Sequence, residues 1–249
     1  MIVKVGSISE NDNQQGFAHF IEHLGFKGTK QYPNYRLVNK LQTLGVTYGP
    51  DLNASTGLQE TMYKISLSSE SHCYHERFAT AINIICQWAT EMEISRNDVE
   101  EEKAIILAEH RNKQGVNQRI LRHYWNEIFG AESLISNRFP IGKPENITAA
   151  TSEDLLSFYH QWYRPELMTI LVVGDLSDEK MDIAKDILFS QEINFKNISG
   201  NFEENSNYLK LPNDKGKKDR IISICDAELN KISLSIGKIH NILISYILM

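Results

Sequence analysis

Cysteine is scarce: Cys73, Cys86 and Cys225 are the whole complement of the 249 residues. Three thiols, odd in number and far apart, exclude a disulfide scaffold and a thiolate metal site, and they read as buried thiols. Long apolar runs are missing as well. Residues 241–249 are apolar but fall well short of the roughly 20 that a membrane-spanning helix needs. No basic block occurs, and 26 Lys and Arg against 32 Asp and Glu leave a formal charge of −6, which disfavours nucleic acid or anionic lipid as main partner. Glycine-rich phosphate loops and a serine-centred nucleophile elbow are absent. What remains is an ordinary globular mixture, 41% hydrophobic and 23% charged, long enough for one large domain or two small ones.

Both ends are abrupt. Met1-Ile2-Val3-Lys4-Val5 reads as the middle of a strand that continues upstream, and it shows no recognisable signal peptide. The compartment stays open between periplasm and cytoplasm. Residues 241–249 read as a severed strand or helix of a further domain.

Apolar spacing predicts helices over 13–26, 34–44 (closed by Gly45), 71–92, 96–113, 116–129, 152–162 and 177–188. Ser95 with Asp98 resembles a capping box, and Thr151 caps the helix at 152. Alternation predicts a strand at 61–67, and Leu167 to Val173 reads as a buried strand. Strands among long helices, without strict β-α-β repetition, predict an α+β fold: a mixed, mainly antiparallel sheet with helices packed on it. Asn, Ser, Lys and Gly dominate from 190 to 218, so the expected division is a first domain over 1–190, a linker over 191–218 and the truncated start of a second domain over 219–249.

Chemistry concentrates in Gly16-Phe17-Ala18-His19-Phe20-Ile21-Glu22-His23, which holds H-x-x-E-H on a helix. Residues four apart differ by about 40° in direction, so His19 and His23 stand one turn apart on one face, where both can reach one Zn²⁺. Glu22 projects near the same place. A catalytic zinc needs a third protein ligand. Glu102 and Glu109, two turns apart on a face otherwise made apolar by Ile105 and Ile106, can both look toward the first helix. The plain alternative stays open at this point, because short motifs recur by chance and a glutamate pair is often a solvated face. His72, His75, His110, His123, His160 and His240 have no comparable spacing and read as surface or structural; Trp88, Trp125 and Trp162 read as core.

His19-Phe-Ile-Glu22-His23-Leu-Gly-Phe-Lys-Gly28-Thr29, taken with Val99 to Arg111, resembles the pitrilysin/insulinase family of zinc metallopeptidases, and bacterial zinc proteases of that family most of all. The likeness continues through Gly45, Asp51 to Thr56, Glu60 to Leu67, Pro140-Ile141-Gly142 and Phe158 to Pro165, before Val172-Val173-Gly174-Asp175. The resemblance implies a pitrilysin-like N-terminal peptidase domain with one zinc held by His19, His23 and Glu109. It further implies Glu22 as general base, Glu102 as a supporting acid, and Asn53 and Ala54 in an edge strand that pairs with a peptide substrate. It also implies that a complementary C-terminal half or partner subunit completes activity. Alternatives are a non-catalytic zinc-binding subunit or an inactive gene fragment.

Overall fold

The computed structural model describes residues 1–68, 74–174 and 177–195. Of these, 112–137 fall in one compact unit and the rest in another. The larger unit is built on four strands, β1 (Ile2–Val3), β2 (Leu52–Thr56), β3 (Thr61–Ile65) and β4 (Met168–Thr169), in the order β2-β3-β1-β4. Every pairing is antiparallel. The expected mixed sheet is thus antiparallel throughout, among the described residues. β3 shows why its sequence alternates: Thr61 and Tyr63 are buried, while Met62 and Lys64 face out. The register sets Asn53 opposite Lys64 and Ala54 opposite Tyr63, and leaves β2 at the end of the strand order.

Around the sheet run α1 (Phe17–Leu24), α2 (Arg36–Thr43), α3 (Tyr74–Thr90) and α4 (Arg96–Asn112). The smaller unit contributes α5 (Val116–Phe129) and α6 (Leu134–Asn137). The larger unit resumes with α7 (Pro144–Ala149), α8 (Ser152–Trp162) and α9 (Asp178–Phe195). Local chemistry fixes several starts. The Thr151 hydroxyl accepts from Asp154 N–H and the Asp154 carboxylate accepts from Thr151 N–H, each at 3.1 Å, which is a complete capping box. Ser95 accepts from Asp98 N–H at 3.1 Å before α4.

Three expectations need correction. The first helix starts at Phe17, not near 13, because Gly16 sits at φ +103°, outside helical backbone. The strand expected over 167–173 is paired only at Met168–Thr169, and its buried reading fails at Leu171 and Val173, which are 67% and 84% exposed. Ile170 and Val172 pack on apolar clusters while their neighbours point away, so a continuous apolar run here covers one inner face only. α9 continues to Phe195, past its expected end near 188. Residues 196–249, with most of the expected linker and all of the expected second domain, lie outside the described residues, as do His72, Cys73, Cys225 and His240.

α1 runs through the main core. Phe20, Ile21 and Leu24 have no exposure, and they share one apolar cluster with Tyr63, Trp88, Phe158 and Tyr159. The tyrosine hydroxyls in that cluster are engaged: those of Tyr63 and Tyr163 meet at 2.6 Å, and Tyr159 donates to the Trp88 carbonyl at 3.0 Å. A smaller cluster of Phe78, Ile82, Cys86 and Ala184 joins α3 to α9, and burial pushes the Cys86 thiol up to about 11.

The entry to α1 is closed by a contact between two backbones. Gly142 sits at φ +74°, and a Cβ there would lie 2.4 Å from Gly16 Cα and 2.5 Å from the Gln15 carbonyl. Gly49 has a similar φ, +95°, with nothing within 4 Å. Gly49→Ala should therefore cost about 1 kcal/mol, the conformational penalty alone, whereas Gly142→Ala should cost at least about 2 kcal/mol because backbone must also move. Urea unfolding midpoints of the two variants check this; equal losses would remove the steric argument.

Candidate metal centre

An eight-residue helix has little stability of its own, so its ligand geometry depends on what grips its ends. At the first end, the buried Glu10 carboxylate accepts from Gly16 N–H and Ala18 N–H, both at 2.9 Å. It satisfies donors that a helix start leaves orphaned. Arg138 braces this turn by donating from Nε to the Glu10 carbonyl at 3.2 Å and from its terminal nitrogen to Asp12 at 2.6 Å. At the far end, the Trp88 indole N–H donates to the Gly25 carbonyl at 2.8 Å.

Held in this way, α1 presents His19 and His23 with their Nε2 atoms 3.2 Å apart. α4 brings Glu109 Oε2 to 3.3 Å from His23 Nε2 and 3.6 Å from His19 Nε2. Among the described residues these three form one group able to hold a metal ion. The fit can be tested by arithmetic. Bonds of 2.0–2.1 Å to a tetrahedral ion set ligand atoms about 3.3–3.4 Å apart, and the three observed separations bracket that spacing.

Glu102, two turns before Glu109, reaches the other side of the same imidazole. Its Oε1 accepts from His23 Nδ1–H at 2.8 Å, which leaves Nε2 as the nitrogen with the lone pair. Its Oε2 lies 3.1 Å from Lys27 Nζ, and Lys27 also contacts Glu101 Oε2 at 3.1 Å and the Tyr35 hydroxyl. Burial alone would lower the His23 value, but hydrogen bonds to Glu102 and Glu109 outweigh it and push the imidazole up to about 9. Burial alone would raise Glu102; hydrogen bonds from His23 and Lys27 hold it below the usual carboxylate range. The centre thus asks for positive charge where the two rings meet.

Glu22, the fourth acidic group of the site, is buried at 8% exposure and accepts from Thr56 Oγ1 at 2.6 Å. Beside it opens a cavity of about 300 Å³ lined by Glu22, His23, Phe26, Tyr48, Asn53 and Ile105, among others. Asn53 therefore faces the site. Ala54 instead packs against the apolar core, with its N–H taken by Asn53 Oδ1 at 2.8 Å. The apolar face expected from Ile105 and Ile106 splits: Ile106 is fully buried, but Ile105 is half exposed and walls the cavity.

The profile of the insulinase family (Peptidase family M16) matches residues 1–134, and that of the Peptidase M16 inactive domain matches 149–237. The chain belongs to the insulinase family. Among relatives of this zinc metalloprotease family, the probable zinc protease PqqL of Haemophilus influenzae is 31% identical over 181 residues, covering 73% of this chain and 19% of that protein. The crystal structure of the first half of the periplasmic protease PqqL from Escherichia coli superposes with a TM-score of 0.70 at 31% identity, over 75% of this chain and 39% of that one. The ferredoxin protease FusC, solved in complex with Arabidopsis ferredoxin, gives 0.67 at 28% identity, over 76% of this chain and 20% of that one. The chain spans about a fifth of the length of the curated relatives it matches first.

Sequence reasoning missed four members of this insulinase-family site: Lys27, Tyr35, Tyr48 and Thr56. Thr56 closes the edge-strand segment and Lys27 follows His23 by four residues, so both lay inside the resembling stretches. Only side-chain directions give them roles.

The Glu10 clamp carries a pH dependence. Burial raises Glu10 from 4.5 to about 8, against the opposing pull of the Ala18 and Gly16 N–H groups and Arg138. With the folded value above the unfolded one, the stability this group contributes is complete below about pH 4.5 and is lost as pH rises through 8. Glu10→Gln cannot ionise. With a chelator present to fix metal loading, the wild-type Tm should fall more steeply between pH 5 and pH 8.5 than that of Glu10→Gln; parallel profiles would refute the assignment.

Proposed function

We propose that this chain carries the catalytic zinc site of a metalloendopeptidase, with His19, His23 and Glu109 as ligands. The observation that carries the reading is the triangle of donor atoms at 3.2, 3.3 and 3.6 Å, with a separate carboxylate beside it. Zinc bound there supplies Lewis-acid polarisation of a peptide carbonyl and lowers the pKa of water near it.

The protein's own groups then divide the work. Glu22 takes the proton of the attacking water and returns it to the leaving amine. Thr56 donates to Oε2 of Glu22 and holds the carboxylate in place for that transfer. Glu102 fixes the tautomer and direction of His23. An extended substrate aligns along β2, the end strand, where backbone pairing holds a peptide with little demand on its side chains. Asn53 has to release the Ala54 N–H for that pairing, and its position on the cavity rim lets it contact the substrate instead. The chain spans a minor part of its relatives, so full turnover requires a complementary half or partner subunit, and the substrate is a peptide or small protein.

Two variants test the assignment. Glu22→Gln should bind one equivalent of zinc, measured by elemental analysis, and lose hydrolysis of a quenched peptide library; hydrolysis at the wild-type rate would show that Glu22 is not the base. Thr56→Val should keep its zinc and lower kcat about tenfold, the worth of one charge-assisted hydrogen bond of about 1.4 kcal/mol.

The second reading is a zinc-binding subunit without turnover, favoured by the match of residues 149–237 to the Peptidase M16 inactive domain. Assay of the same library with and without a co-expressed complementary half separates the two. Zinc-loaded protein with no cleavage in either case would favour the non-catalytic subunit.

A further inference from the structure

Lys27 is a cation placed against Glu102 of the centre, and it is almost wholly buried: its side chain is 4% exposed. It lies beyond the end of α1, four residues after His23, so the same chain segment supplies a ligand and a cation. Its ammonium bridges α4 and the start of α2, meeting Glu101 and Glu102 on one side and the Tyr35 hydroxyl on the other. The backbone repeats the link, since Tyr35 N–H donates to the Lys27 carbonyl at 2.6 Å. Tyr35 itself sits at φ +61°, a left-handed conformation that a tyrosine adopts only when its surroundings hold it there.

The two oxygens of Glu102 are divided between partners, Oε1 to His23 Nδ1 and Oε2 to Lys27 Nζ. The terminal torsion of a glutamate is soft, so one partner alone does not fix the carboxylate plane. With both, it is pinned. We propose that Lys27 is a positioning residue for the centre: by holding Oε2 of Glu102, it keeps Oε1 aimed at His23 Nδ1 and so keeps His23 Nε2 turned toward His19 and Glu109. Lys27 touches neither the ion nor the reacting atoms. It acts through Glu102.

This inference rests on the zinc reading above, and zinc titration of the folded chain in competition with a chromogenic chelator tests both. Lys27→Met should weaken zinc binding about tenfold, the lower end of what loss of an outer-shell partner costs. A role through charge alone predicts the opposite sign, because removing a cation beside a cation site tightens zinc. Lys27→Arg should restore most of the affinity, and Glu101→Gln should stay within about twofold of wild type, since Glu101 contacts Lys27 but not His23. In a Glu102→Gln background, Lys27→Met should change affinity by less than about twofold, the signature of action through one shared partner. Should Lys27→Met not fold, Lys27→Gln serves the same reading, with an expected loss of at least about threefold. Wild-type protein that binds no zinc would end both readings. Wild-type binding together with equal or tighter binding by the Lys27 variant would overturn the role of Lys27 alone.

Discussion

A 2.8 Å hydrogen bond between His23 Nδ1 and Glu102 joins helices whose partners are 79 residues apart in the chain, and the geometry of the centre follows from it. A carboxylate there can only accept, so the proton belongs to Nδ1 and the lone pair to Nε2. That lone pair faces a second imidazole and a second carboxylate at distances where acceptors repel unless something positive lies between them. Hydrogen bonds to Glu102 and Glu109 push His23 up to about 9 against its burial, so this spot favours positive charge. The same electrostatic demand suits a divalent ion better, since such an ion satisfies three donors at once where a proton satisfies two.

Such a contact survives only if the helices cannot slide. α1 is too short to resist by its own hydrogen bonds, and the fold supplies the resistance from outside. Its start is clamped by Glu10 and by the close approach of Gly16 and Gly142; its end is tied to α3 through Trp88 and the Gly25 carbonyl. Between the two ties, Phe20, Ile21 and Leu24 lock the apolar face into the core. A displacement of half an ångström at either end would be felt at the Nε2 atoms, and well-packed interiors do not allow small continuous displacements.

The sequence made the helices legible because their apolar spacing is regular: α5 and α8 have the bounds that spacing predicts, and α4 differs by one residue. The sheet was harder. β1 and β4 pair over two residues each, too few for any periodicity to register, and β2 reads Leu-Asn-Ala-Ser-Thr with hardly an apolar signal. The ligand helix was found by H-x-x-E-H, but spacing could not tell Glu109 from Glu102, because residues seven apart share a face. Only the packing of α4 on α1 separates them, one reaching Nε2 and the other Nδ1. Lys27 and Thr56 were invisible for a different reason. Each matters through the partner it touches, and no local pattern encodes a partner on another element.

That point about partners extends to the three carboxylates Glu22, Glu102 and Glu109, which are the same functional group within one small volume. Glu102 faces a lysine and a histidine, so its charge is spent on orientation and it is held below the usual carboxylate range. Glu109 faces two ring nitrogens, at 3.3 and 3.6 Å. Glu22 accepts from the neutral hydroxyl of Thr56 at the wall of a cavity. A buried carboxylate on a cavity wall is in reach of what enters the cavity, and under the proposed function that is the placement a general base requires. Under the proposed function the division of labour follows from what each carboxylate faces: a cation for positioning, imidazoles for ligation, and the cavity for proton transfer.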